Sequence, residues 1–113
     1  MSKFINCILV GAGSRGVIYA SYFLSNPELG KIIAVAEPDD FKRDKIAQIH
    51  HIAGQSNIVN DWRQLAQRPK FADAVIIATP DALHCQPAIA FSQKGYPLLL
   101  EKPMAPNQKA CAA

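Results

Sequence analysis

The sequence predicts an α/β domain, a doubly wound parallel sheet with helices on both faces that gives three αβα layers. Two observations carry this. Apolar runs of strand length alternate with segments of helical periodicity, and the stretches CILV, IIAVA, AVIIA and LLL within them are continuously apolar, as expected of strands buried on both faces. At 113 residues the chain has the size of one domain, 1–113, large enough for a real core and too small for two. Alternating strands and helices in one unit imply a parallel sheet with right-handed crossovers.

Taken in order, FINCILVGAG reads as a buried strand closed by glycine, and SRGVIYASYFLSN as a helix with Val17, Ala20, Ser21 and Leu24 at helical spacing. Pro27 disfavours helical geometry at Asn26 and ends it. KIIAVAE is a second strand ending on Glu37, and DDFKRDKIAQIHH a second helix with Asp39 or Asp40 as its cap. His50 and His51 fall at its end, where a cation suits the helix dipole. SNIVN reads as a short third strand and DWRQLAQR as a polar helix capped by Asp61, with Trp62 assigned to packing. ADAVIIATP is a fourth strand. DALHCQPAIAFSQKG is a helix with Pro87 near its start and Gly95 as a left-handed cap, and YPLLLEKP is the fifth strand.

Half of the residues are hydrophobic and 19% are charged, and the formal net charge of +3 is spread along the chain. This composition argues for a folded domain and against disorder, and scattered cations argue against a nucleic-acid partner. Cys7, Cys85 and Cys111 are odd in number and lack C-x-x-C spacing, which argues for reduced thiols and against a disulfide frame or metal site. The amino-terminal apolar run is too short to span a membrane and shows no cleavage pattern. The expected location is cytoplasmic, with no membrane partner.

GAGSRG, residues 11–16, matches G-x-G-x-x-G at a strand-to-helix junction. Gly11 permits the tight turn, Gly13 lets a pyrophosphate approach the backbone, and Gly16 lets the helix lie close to the sheet. The helix that opens at Ser14 and Arg15 offers free amides and a positive dipole end to phosphates, with Arg15 adding positive potential. Glu37 follows about 20 residues on, where a carboxylate accepts hydrogen bonds from adenosine ribose hydroxyls and repels a 2′-phosphate. This Rossmann-type pattern favours NAD over NADP. Lys42 and Arg43 follow closely and would reach a 2′-phosphate if Glu37 turned away. The other reading of these residues is a tight β–α turn followed by a solvated acid.

Ligands of open α/β sheets sit beyond the carboxyl ends of the strands. After strands four and five these positions are Thr79, Pro80 and Asp81 with His84, and Glu101, Lys102 and Pro103. Together, GAGSRG, AEPDDFKRDKIA, IIATPDALH and LLLEKPMAP resemble the amino-terminal domain of the Gfo/Idh/MocA family of nicotinamide-dependent oxidoreductases, over essentially the whole chain. The resemblance implies a dehydrogenase whose second, larger domain holds a small carbohydrate or cyclic polyol substrate and mediates homo-oligomerisation of the full-length parent. That domain is absent from these residues, so the chain reads as a fragment, inactive on its own. The resemblance assigns Lys102 as the active-site lysine, with Pro103 fixing the turn after it. It places Glu101 and the Thr79-Pro80-Asp81 segment along the nicotinamide ribose, with His84 close by. The family often has Asn where Asp81 stands. An ammonium beside the cofactor stabilises alkoxide character as hydride leaves. Without the resemblance, Glu101 and Lys102 are an ordinary surface pair, and His84 caps or packs as readily as it touches a cofactor. Two other classes stay open from residues alone. One is a stand-alone NAD-binding regulatory module without turnover. The other is an S-adenosylmethionine methyltransferase, against which the third glycine and the E-K-P element count.

Overall fold

The computed structural model describes residues 4–78 and 85–100. Strands β1 (Ile5–Val10), β2 (Gly30–Ala36), β3 (Ile58–Val59), β4 (Ala74–Ile77) and β5 (Leu98–Leu100) form one sheet in the order β3-β2-β1-β4-β5. All four pairings are parallel. Helices α1 (Ser14–Ser25), α2 (Asp40–Ile49), α3 (Arg63–Ala66) and α4 (Cys85–Gln93) connect them.

The sheet divides the core in two. Ile8 and Val10 of β1, with Val75 and Ile77 of β4, face α3 and α4 and pack with Leu65 and Phe91. Cys7 and Leu9, with Ile76, face the other way and pack with Ala20 and Ile46 from α1 and α2. Neighbouring residues of one strand are thus buried on opposite faces, the physical reason that β1 and β4 carry no polar alternation. The β1–β2 register shifts between Cys7 and Ile8, which inserts Ile33 as an extra residue and redirects the side chains that follow it.

The helix ends follow local chemistry. Asp39 accepts a 2.9 Å hydrogen bond from the Lys42 amide and caps α2. Beyond α4, the Gly95 amide donates to Ser92 O and the Tyr96 amide to Phe91 O, with Gly95 at φ 88, a left-handed closure whose flanking apolar residues meet as expected. The Phe91 and Tyr96 rings lie 5.6 Å apart, edge to face. Trp62 packs near Phe91, with ring centroids 6.2 Å apart.

Four sequence expectations are corrected. Leu24 does not join the inner face of α1: it is 49% exposed, and Phe23 packs into the core instead. Gly16, Ala20 and Phe23 form the inward stripe because α1 is rotated to bring Gly16 against the glycine loop. The third strand is two residues long, because residues 55–57 form a 3-10 turn before it. The third helix spans only four residues; Trp62 before it is already in helical geometry, and Asp61 caps the turn as expected, its Oδ1 accepting from the Arg63 amide at 2.9 Å. Arg68 precedes Pro69, which disfavours continued helix there. Finally, His50 is buried and its pKa is lowered, first by desolvation and then by His51. Burial outweighs the helix dipole, so His50 is not the favoured cation. The strand end at Glu101 lies outside the described residues.

Candidate functional site

Strand order reverses between β1 and β4: the chain builds outward from β1 through β2 to β3, then returns to the opposite side of β1. The carboxyl ends of β1, β2 and β4 meet at this point. The Gly11 amide donates to Ala36 O at 2.9 Å and the Ala78 amide to Val10 O at 2.8 Å. The glycine loop is therefore tied to both flanking strands, in the crevice where a doubly wound sheet binds ligands.

Two glycines in the loop have distinct steric duties. Gly11 sits at φ 94, a conformation that side chains with a Cβ rarely adopt. A Cβ on Gly16 would run into Gly11 O, so α1 approaches the loop as closely as it does only because that position is bare. At Gly13 the situation is opposite: a Cβ would meet nothing among the described residues within 4 Å. The space in front of Gly13 is open to a ligand. Helix α1 starts here with no side-chain cap and no acid in its first turn, which leaves its leading amides and dipole to an anion.

Glu37, 9% exposed, is the polar centre of the site. Its Oε1 accepts a 2.7 Å hydrogen bond from the Ala12 amide inside the glycine loop, and its Oε2 accepts one of 2.9 Å from the Asp39 amide. Its own amide donates to Val59 O, and its carbonyl accepts from Arg43 Nη1 at 2.9 Å. The carboxylate thus joins the glycine loop to the start of α2. Each oxygen spends one acceptor site on an amide and keeps another, enough for a pair of ribose hydroxyls. Open space at Gly13, uncapped amides at α1 and spare acceptors on Glu37 fit a dinucleotide.

The structure brings together Gly11, Gly13, Gly16 and Glu37, with Ser14 and Arg15 opening α1. Glu37 does not turn away, and Arg43 is engaged by the Glu37 carbonyl and by Asp40. Thr79, Pro80, Asp81, His84, Glu101, Lys102 and Pro103 lie outside the described residues. The described chain stops short of them at Ala78, beside Val10, and at Leu100, which pairs with Ile77. Sequence reading misses the Ala12 amide and the Asp40–Arg43 pair. The i, i+3 spacing of opposite charges at the start of α2 is the signal for the second; nothing in the sequence marks the first. Among the described residues no group of three His, Cys, Asp or Glu side chains is placed to hold a metal ion, and no helix is long and apolar enough to cross a membrane.

The sequence model of an oxidoreductase family with an NAD-binding Rossmann fold, Gfo/Idh/MocA, matches residues 5–113. The chain belongs to this family. Among curated relatives, levoglucosan dehydrogenase of Pseudarthrobacter phenanthrenivorans is 34% identical over 110 residues, covering 89% of this chain and 27% of its own length. Inositol 2-dehydrogenase 4 of Saccharopolyspora erythraea is 30% identical over 102 residues, covering 90% and 29%. The chain thus spans less than a third of the length of these family members. Among solved structures, scyllo-inositol dehydrogenase of Lactobacillus casei with bound NAD(H) and scyllo-inositol superposes with a TM-score of 0.78 at 24% identity, over 90% of this chain and 29% of that one. Biliverdin reductase of Synechocystis with biliverdin and NADP+ superposes at 0.73 and 24% identity, over 96% and 34%. At these identities the superpositions show the shared fold.

Proposed function

We propose that this chain is the cofactor-binding part of a dehydrogenase that transfers a hydride between NAD and a sugar-like or cyclic polyol substrate. The observation that carries the cofactor half is Glu37, a buried carboxylate bonded to the glycine loop with acceptor sites to spare. An anchored carboxylate suits a ribose diol and opposes a 2′-phosphate, which favours NAD over NADP. The substrate half rests on the family and on relatives named for levoglucosan and inositol oxidation. In this reading the substrate pocket and the contacts of a homo-oligomer belong to the length that the relatives have beyond the matched region.

Bound nicotinamide supplies the two-electron acceptor. The chain's own residues bind and orient it: the amides at the start of α1 take the pyrophosphate, Gly13 leaves it room, and Glu37 takes the adenosine ribose. Lys102 is assigned to the substrate oxygen, where its ammonium stabilises alkoxide character while the hydride leaves the carbinol carbon. Glu101, Thr79, Pro80, Asp81 and His84 are assigned to the nicotinamide ribose, and Pro103 to the turn that presents Lys102.

Calorimetric titration of the chain with NADH and NADPH tests the cofactor half. NADH is expected to bind at least roughly tenfold more tightly, a gap of about 1.4 kcal/mol; binding of neither nucleotide would falsify the reading. In the protein extended to its relatives' length, Lys102→Ala should lower kcat by on the order of ten- to a thousandfold with little change in NADH affinity. Undiminished turnover would remove the lysine from the mechanism.

A further inference from the structure

The seven residues from Glu37 to Arg43 hold both marks of adenosine recognition, an acid that suits a ribose diol and an arginine of the kind that accommodates a 2′-phosphate. Their bonding shows why the two do not compete. The Arg43 guanidinium lies beside the ribose corner, since Nη1 donates to the carbonyl of Glu37, the residue whose carboxylate faces that corner. Its Nη2 donates to Asp40 Oδ1. We infer that Asp40 is a specificity-determining positioning residue, which by pairing with Arg43 parks the guanidinium against the Glu37 backbone and withholds it from a 2′-phosphate. The inference deepens the dinucleotide reading and rests on it.

Asp40 stands in the first turn of α2, where an acid suits the helix dipole, but that duty does not require the pair with Arg43. Asp39 already caps α2 through the Lys42 amide. The Asp40 side chain is 86% exposed, and an ion pair with one partner so far in water adds little to stability. The Arg43 side chain is 16% exposed, and a guanidinium presents five donors in a fixed fork. Fixing two of them to a carbonyl and a carboxylate fixes the plane of the group. With Asp40 neutralised to Asn, the bond to Arg43 loses its charge assistance and its hold on the fork, and a phosphate becomes the strongest partner within the guanidinium's chemistry. Glu37, Asp39 and Asp40 also place three acids around one turn, so the wild-type corner repels a dianion twice over, by its charge and by its immobilised cation.

The test is the ratio of NADPH to NADH dissociation constants, measured by calorimetry on the full 113-residue chain at fixed ionic strength. Asp40→Asn should lower that ratio by roughly five- to tenfold, the scale of one regained charge-assisted phosphate contact. Asp44→Asn removes the same charge one turn further along α2 without touching the Arg43 guanidinium and should change the ratio by less than about twofold, since screened charge at that distance acts weakly. Asp40→Asn combined with Arg43→Gln should abolish the gain. An unchanged ratio in Asp40→Asn, an equal change in Asp44→Asn, or a gain that survives without Arg43 each overturns the inference while leaving NADH binding intact. A wild-type chain that binds neither nucleotide overturns the dinucleotide reading and this inference together.

Discussion

At Gly16 the backbone of α1 lies against Gly11 O, whereas the Cα of Gly13 faces open space. The same substitution therefore separates folding from binding. Gly16→Ala forces the loop and helix apart and should destabilise the fold by about 1–3 kcal/mol, in the range of overpacked sites, with NADH affinity lost as well. Gly13→Ala is sterically free among the described residues, and its φ of −75 suits any residue. Lost cap preference and reduced unfolded-state entropy oppose one another there, so stability should stay within about 1 kcal/mol of the parent. Its methyl nevertheless occupies the space assigned to pyrophosphate, so NADH binding should weaken roughly tenfold or more. Thermal melts paired with titrations check both, and a Gly13→Ala chain that binds NADH normally would move the phosphate site elsewhere. The positions of Gly11, Gly16 and Glu37 are legible in the sequence because spacing alone dictates them. The bond from Glu37 to the Ala12 amide is not, since it depends on how far β2 stands from the loop.

Helix α2 couples the site to the core. It begins at the Asp39 cap, buries Ile46 against the sheet and ends at His50, with His51 at φ 53 turning the chain away. His50 is held neutral by burial, so its pKa lies below the ordinary imidazole value of 6.5. In the unfolded chain the imidazole takes up a proton as pH falls through 6.5, while in the folded chain it resists. The unfolded state then binds more protons, and stability declines as pH drops below that value and is unaffected by this group above it. Melting temperatures measured between pH 7.5 and 5 should fall on the acid side, and His50→Gln should flatten that slope; an identical slope in the variant would assign it to other groups. Element type is legible throughout because two-sided burial leaves uninterrupted apolar runs. Rotation about an axis is not: the periodicity of α1 allows Leu24 or Phe23 inward, and only the close approach at Gly16 selects Phe23.

Across the whole molecule, β1 is the central strand, paired with β2 on one side and β4 on the other. Its Cys7 is therefore sealed by the sheet as well as by α1 and α2. Burial, reinforced by the charge of Asp73, raises the Cys7 pKa to about 11, so at neutral pH the group is a thiol and not the reactive thiolate. Modification of Cys7 then requires lifting α1 and α2 off the sheet, an opening close to global unfolding. A ligand that binds only the folded chain suppresses such opening by the factor 1 + [L]/Kd. In a Cys85→Ser, Cys111→Ser background, labelling of Cys7 should be slow in the free chain. It should slow further by about a hundredfold at NADH concentrations a hundred times Kd, equivalent to about 2.7 kcal/mol. S-adenosylmethionine at the same concentration should leave the rate unchanged. If Cys7 labels at the rate of an exposed thiol, the sheet opens locally at β1. If NADH leaves a slow rate untouched, it does not bind across the glycine loop that β1 carries.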